Sequence, residues 1–161
     1  MKALIDSHTN NIYLKPGEVV VARKPVLVST VLGSCIAVTM FSPKSGFGAI
    51  CHAMLPQNNG CAEDLRYVDA AVLHIYRKAV ARGAASDLIV KLFGGARMLD
   101  IRDAGSTIRT VGEQNVAKAQ EILSDLGLNV DRSDTGGVVG RKLYFCTRDG
   151  DVYLKKMGAN R

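Results

Sequence analysis

The sequence predicts an α+β domain, a layered sandwich of mainly antiparallel β-sheet with two main helices packed on one side. Three observations carry this prediction. Short β-branched runs set off by Gly, Pro, Asn and Asp recur through both halves of the chain. Only two stretches repeat their apolar residues at helical spacing. Strands and helices do not alternate strictly, which argues against a parallel βαβ sheet.

Taken in order, residues 1–11 are polar and read as loose. In "YLKPGEVVVARKPVLVST", the turn signals Pro16-Gly17 and Lys24-Pro25 set off Glu18–Arg23 and Val26–Thr30 as strands. After a break at Gly33, "CIAVTMF" is a third strand, "SPKSG" a turn, and "FGAICHAML" a fourth strand that stops before Pro56. From Asp64 the period changes. Leu65, Val68, Val72, Ile75, Tyr76 and Ala79 fall on one helical face, and Gly83 stands where a C-terminal glycine belongs. "DLIVKLFGGA" reads as a buried strand running into a Gly94-Gly95 turn, and "GSTIRTVGE" as a short strand closed by Gly112. Asn115 to Leu126 is the second helix, ended by Gly127. The tail offers three more strands in "LNVDRSDTGG", "RKLYFCT" and "DVYLKKM", the last two joined as a hairpin at Asp149-Gly150.

With 161 residues and no linker or repeat, the chain is expected to form one domain, large enough to bury a core without metal or disulfide support. The opening "MKALIDSHTNN" is unlike a secretory signal, since Asp6 interrupts a short apolar stretch, and no window approaches the roughly 20 apolar residues of a membrane span. A cytoplasmic protein with no membrane insertion is the expectation. Twenty-one Lys and Arg against 15 Asp and Glu give a net charge of +6, which favours acidic partners. The basic residues are scattered, however, without a basic arm, finger spacing or aromatic-rich strand, so nucleic acid is not expected among those partners. Cys35, Cys51, Cys61 and Cys146 contain no C-x-x-C pair and read as free thiols. Cys51 and His52 are adjacent, and adjacent residues rarely reach one ion, so no metal is expected. "TGGVVGRKL" fails as a phosphate loop, because Leu143 stands where Ser or Thr would bind magnesium and the glycine spacing is too short.

Cys35 is the first candidate for chemistry. It follows a glycine-containing bend at Gly33-Ser34 and opens an apolar strand, where a side chain and nearby backbone N–H groups can both face a cleft. A free thiol is only a few per cent thiolate near pH 7, so it needs a base. His8 lies in the loose N-terminal segment, and His74 is set inside the first helix among core positions. His52 differs, because the short "SPKSG" turn makes its strand the antiparallel neighbour of the Cys35 strand. If the turn centres near Lys44 and Ser45, residue 35 faces position 53 or 54, and His52 comes within about one residue's rise of Cys35. On these residues alone a packed cysteine beside an unrelated histidine is still the commoner arrangement, as buried free cysteines are frequent. Alternation points Cys51 to the opposite face as a core thiol, Cys146 reads as strand core, and Cys61 lies in a polar loop without a base.

"STVLGSCIAVTMF", "GFGAICHAMLP", "KLFGGARML" and the closing "GRKLYF" together resemble the CheD family, the chemoreceptor glutamine deamidases of bacterial chemotaxis. The resemblance runs from about Pro16 to Met157, with Leu-Gly-Ser-Cys at 32 to 35, His52 seventeen residues after the cysteine, and Met-Leu-Pro at 54 to 56. It implies a cofactor-free Cys–His hydrolase that converts receptor glutamines to glutamate, with Cys35 as nucleophile and His52 as base. The family's third site residue is a threonine six positions before the cysteine, where this chain has Ser29, with Thr30 next to it. Either hydroxyl can orient the imidazole. Parity along the strand favours Ser29 slightly, although Gly33 interrupts the count. Backbone N–H groups around Gly33, Ser34 and Cys35 are the expected oxyanion site, and the Phe-Gly-Gly-Ala turn at Gly94 and Gly95 a border of the cleft. The implied partners are the cytoplasmic domains of chemoreceptors and a CheC-type phosphatase. The alternative is a regulatory module that docks such partners with little catalysis.

Overall fold

A strand with apolar side chains on both faces needs cover on both, and this chain supplies it by stacking three layers. The computed structural model describes residue 5 and residues 10–58, 63–98 and 109–158. In chain order these form β1 (Asn11–Tyr13), β2 (Val19–Ala22), β3 (Leu27–Leu32), β4 (Ile36–Phe41), β5 (Gly48–Ala53), α1 (Val68–Ala81), a 3₁₀ turn (Ala85–Asp87), β6 (Ile89–Gly94), α2 (Val111–Asp125), β7 (Val130–Thr135), β8 (Arg141–Cys146) and β9 (Val152–Lys156). One sheet has the order β1-β3-β8-β9 and the other β2-β5-β4-β6-β7. Pairing is mainly antiparallel, with β1 beside β3 and β6 beside β7 running parallel.

The two faces of the five-stranded sheet bury different cores. One packs Ala37, Ile50 and Phe93 against Val28, Leu32, Leu143 and Phe145 of the four-stranded sheet. The other packs Val38, Met40, Cys51 and Leu92 against Val72 and Ile75 of α1 and Ala119 and Leu123 of α2. The middle layer is thus covered on both sides, which is why β4 (IAVTMF) and β5 (GAICHA) are buried at every residue and read as near-continuous small and apolar runs. The expected sandwich, with both helices on one side, is the fold observed.

Several boundaries differ from expectation, each for a physical reason. Asn10 and Asn11 are not loose, since Leu27 N–H donates to the Asn10 carbonyl and β1 pairs in parallel with β3 from Asn11. The first helix starts at Val68 rather than near Asp64. Met54 and Leu55 both donate to the Arg66 carbonyl, and Leu55 bridges Tyr67, so residues 66–67 are held extended against the end of β5. The strand expected over "GSTIRTVGE" lies outside the described residues for 105–108, and its remainder opens α2. Thr110 caps that helix, its side chain accepting from Glu113 N–H while the Glu113 carboxylate accepts from Thr110 N–H. This reciprocal box is encoded as Thr-x-x-Glu, a signal that outweighs the β-branched residues before it. Gly112 therefore ends no strand. Its lack of a side chain lets α2 close on the carbonyls of Gly95 and Ala96. The hairpin at Asp149-Gly150 forms as expected, with Gly150 N–H donating to Cys146.

Candidate active site

Cys35 occupies a corner. β3 belongs to one sheet and β4 to the other, and only Gly33, Ser34 and Cys35 carry the chain between them. The backbone of the corner is pinned by the turn after β6, where Gly95 N–H donates to the Cys35 carbonyl and Ala96 N–H to the Gly33 carbonyl, each at 2.9 Å. Gly94 makes this closure possible. Its φ of 104° is in the region that favours glycine, and a Cβ there would collide with the Cys35 carbonyl oxygen. The Phe-Gly-Gly-Ala turn thus borders the site through its backbone. Cys35 itself is half-buried and packs on the edge of the inter-sheet core.

His52 reaches the same space from β5. The ladder pairs Ile36 with Ala53 and Ala37 with His52, so Cys35 is the diagonal neighbour of His52 on the inter-sheet face, within reach of a long side chain. Cys51, one residue earlier, points to the helix side, fully buried among core residues. Alternation therefore separates the two cysteines and keeps Cys51 and His52 from converging on one point.

The residue that meets His52 is Thr30. Its Oγ1 lies 2.7 Å from His52 Nδ1 and 2.7 Å from the Leu14 carbonyl oxygen, and both side chains are buried. Parity favoured Ser29, and the structure corrects this. Inward residues of β3 are Val28, Thr30 and Leu32, whereas Ser29 points to the other face of the sheet. The count failed because it ran through the corner at Gly33, where the chain changes sheet and parity no longer carries. A hydroxyl has one proton. The Leu14 carbonyl can only accept, so it takes that proton, and the hydroxyl oxygen must then accept from Nδ1–H. This pattern assigns the proton of the neutral ring to Nδ1 and leaves the lone pair on Nε2, which is buried with no protein hydrogen-bond partner among the described residues. Most buried polar atoms have a hydrogen-bond partner. Thr30→Val keeps the shape and removes the acceptor. We expect it to lower kcat roughly 10²-fold in a steady-state assay of the site's reaction, with Thr30→Ser and Ser29→Ala close to wild type; equal losses at 29 and 30 would contradict the assignment.

Burial sets the protonation states. It lowers the His52 pKa to about 4, against smaller opposing effects of the Leu14 carbonyl and the Glu18 carboxylate. Burial also pushes the Cys35 thiol up. The resting pair is therefore a thiol beside a neutral imidazole. Burial raises Cys51 to about 12 and Cys146 to about 11, so neither offers a useful thiolate near neutral pH. His74 sits on α1 with Nδ1 3.0 Å from the Glu63 carboxylate at the surface, remote in sequence and layer from Cys35. His8 and Cys61 lie outside the described residues. One contributor had not been singled out from the sequence for chemistry. Asn115 of α2 donates from Nδ2 to the carbonyls of Ser34 and Met54, and its signal was a polar residue at an inward position of an amphipathic helix.

The chain is similar to known proteins over most of its length. Residues 54–156 match the family described as CheD chemotactic sensory transduction. A protein of Geobacter sulfurreducens named probable chemoreceptor glutamine deamidase CheD 2 is 46% identical over 149 residues, covering 91% of this chain and 90% of its own. Proteins of Maridesulfovibrio salexigens and Methanococcus maripaludis, each named probable chemoreceptor glutamine deamidase CheD, are 42% identical over 160 residues and 32% over 146. They cover 94% and 89% of this chain, and 94% and 93% of their own. A family match over more than half of the sequence, with relatives this close over nearly all of it, places the chain in the CheD family.

Proposed function

We propose that the chain hydrolyses glutamine side chains of chemoreceptors to glutamate and ammonia, with Cys35 as nucleophile, His52 as general base and Thr30 as the residue that orients the imidazole. The observation that carries this reading is the Leu14–Thr30–His52 relay, which leaves His52 Nε2 as an unengaged base on the face shared with Cys35. The names of the relatives supply the substrate class. No helix among the described residues is long and apolar enough to cross a membrane.

The chemistry follows from these states. Nε2 takes the Cys35 proton as sulfur attacks the carboxamide carbon, and the carbonyl electron pair moves to oxygen. Backbone N–H at the Ser34–Cys35 corner stabilises that oxyanion. As it collapses, the C–N bond breaks and the imidazolium returns the proton to departing ammonia. Water then enters, loses a proton to Nε2 and cleaves the thioester, which releases glutamate and restores the thiol. A half-buried nucleophile at a corner between sheets suits a side chain presented by a protein surface.

Mass spectrometry of purified receptor cytoplasmic fragments incubated with the wild-type protein tests this. Glutamines that gain roughly one dalton at defined positions, as acyl transfer to water predicts, are the expected result. No gain on any receptor fragment, from folded protein, would overturn it. Docking of a CheC-type phosphatase is the second expectation for this surface, and affinity for such a partner measured beside turnover separates binding from catalysis.

A further inference from the structure

Asn115 lies on the buried face of α2 with Gly112, Ala119 and Leu123, and is the polar residue among them. It is wholly buried. Nδ2 donates at 2.9 Å to the Ser34 carbonyl, in the corner before the nucleophile, and at 3.2 Å to the Met54 carbonyl, just beyond the strand that carries the base. Two carbonyl acceptors decide which end of the amide is nitrogen. Oδ1 is buried with no protein partner among the described residues. An apolar side chain would leave the Ser34 and Met54 carbonyls without this donor, so the amide is there to hold these two backbone groups rather than to fill space.

The position of that use follows from what the sheet already holds. The β4–β5 ladder aligns Cys35 with His52 through the pairs Ile36–Ala53 and Ala37–His52, and Asn115 takes no part in it. The ladder stops short of the Ser34–Cys35 peptide. In a trans peptide the carbonyl and the N–H point in opposite directions. With the Ser34 carbonyl drawn inward to Asn115, the Cys35 N–H is turned away from α2, and among the described residues it has no acceptor.

We propose that Asn115 is a positioning residue that fixes the Ser34–Cys35 peptide so that the Cys35 N–H meets the oxyanion of the tetrahedral intermediate, and that ties this corner to the base strand through Met54. The proposal rests on the reading of Cys35 as nucleophile and assigns Asn115 a part in acyl transfer that is separate from thiol activation.

Two reactions of the same thiol separate those parts. Deamidation passes through an oxyanion, whereas alkylation by iodoacetamide displaces iodide at a saturated carbon and forms none. For Asn115→Asp, which keeps the shape but loses the donors, and for Asn115→Ala, we expect kcat for deamidation to fall about 10- to 10²-fold with KM little changed. The rate of Cys35 alkylation and its pH profile should stay those of the wild type. Unchanged kcat would overturn the proposal, as would parallel losses in deamidation and alkylation, which would mean a general loosening of the site. If neither variant folds, ¹⁵N-labelled wild-type protein treated with a peptide bearing a glutamine-like side-chain aldehyde decides the matter. Cys35 sulfur adds to the aldehyde carbon and the thiol proton passes to the new oxygen, which takes the oxyanion's place. A downfield shift of the Cys35 amide proton is expected, and an adduct that leaves it unmoved would refute the placement. Wild-type protein that alkylates at Cys35 and forms the adduct yet deamidates no receptor fragment would instead defeat the deamidase reading, and the adduct shift would still judge the placement of the Cys35 N–H.

Discussion

Cys35→Ala should abolish deamidation, with kcat/KM down by at least about 10³-fold, because removal of the attacking atom leaves only binding and the oxyanion donors to act on water. The fold should survive. Cys35 is half-buried at the edge of the inter-sheet core, and the corner that holds it is built from backbone hydrogen bonds of Gly95 and Ala96. The informative contrast is Cys51→Ala. Its thiol is closer to His52 in sequence, but with a pKa of about 12 its thiolate fraction at pH 7 is on the order of 10⁻⁵, and it faces the helices. That variant should deamidate at the wild-type rate and lose about 1 kcal/mol of stability from core packing. Both readouts come from one set of proteins, by mass spectrometry of the receptor fragment and urea unfolding. If Cys51→Ala abolished turnover and Cys35→Ala did not, the site as drawn would be wrong.

His52→Ala should cost a comparable factor, about 10³-fold or more in kcat, since burial holds the Cys35 thiol protonated and, among the described residues, His52 is the base on its face of the sheet. Two pH dependences accompany it. As the proposed base, His52 must be neutral, and with a pKa near 4 the imidazole is neutral throughout the physiological range, so kcat/KM should stay level from pH 7 to about pH 5.5 and fall only towards pH 4. An acid limb centred at 6.5 would mean that burial does not control this ring. Stability moves in the same direction. Between pH 6.5 and about 4 the unfolded chain binds a proton at His52 that the folded chain does not, so the folded state loses stability as pH falls through this window and keeps all of it above 6.5. From pH 7 to 5 the loss assignable to His52 is about 2 kcal/mol. Urea midpoints at the two pH values, compared for wild type and His52→Ala, should show the variant to be the less sensitive to acid.

Periodicity in the sequence is enough to reach the elements. Val72, Ile75 and Ala79 at helical spacing, and the β-branched runs between turn residues, report local burial directly, and the "SPKSG" turn sets the register that brings His52 diagonal to Cys35. A local turn leaves little freedom in which residues face one another. Sequence and structure part where two local signals compete, as in the 110–113 segment, whose β-branched residues point to a strand although Thr110 and Glu113 encode a helix cap.

What the sequence by itself determined is the pair: a cysteine on a glycine bend and a histidine one turn later on the adjacent strand. Tertiary structure alone decided the rest. The choice of Thr30 over Ser29 depends on β3 and β5 lying in different sheets and facing each other across a core, a relation between residues that no spacing along one strand contains. Leu14, which fixes the tautomer, enters through a backbone carbonyl and so leaves no mark in its side chain. Asn115 reaches the corner from a helix 80 residues downstream, with |i−j| of 81 to Ser34. Local periodicity reports which face of an element is buried, but the partner on the other side of that face is set by how the layers stack, and the bonds from Thr30 to His52 and from Asn115 to Ser34 are both made between layers.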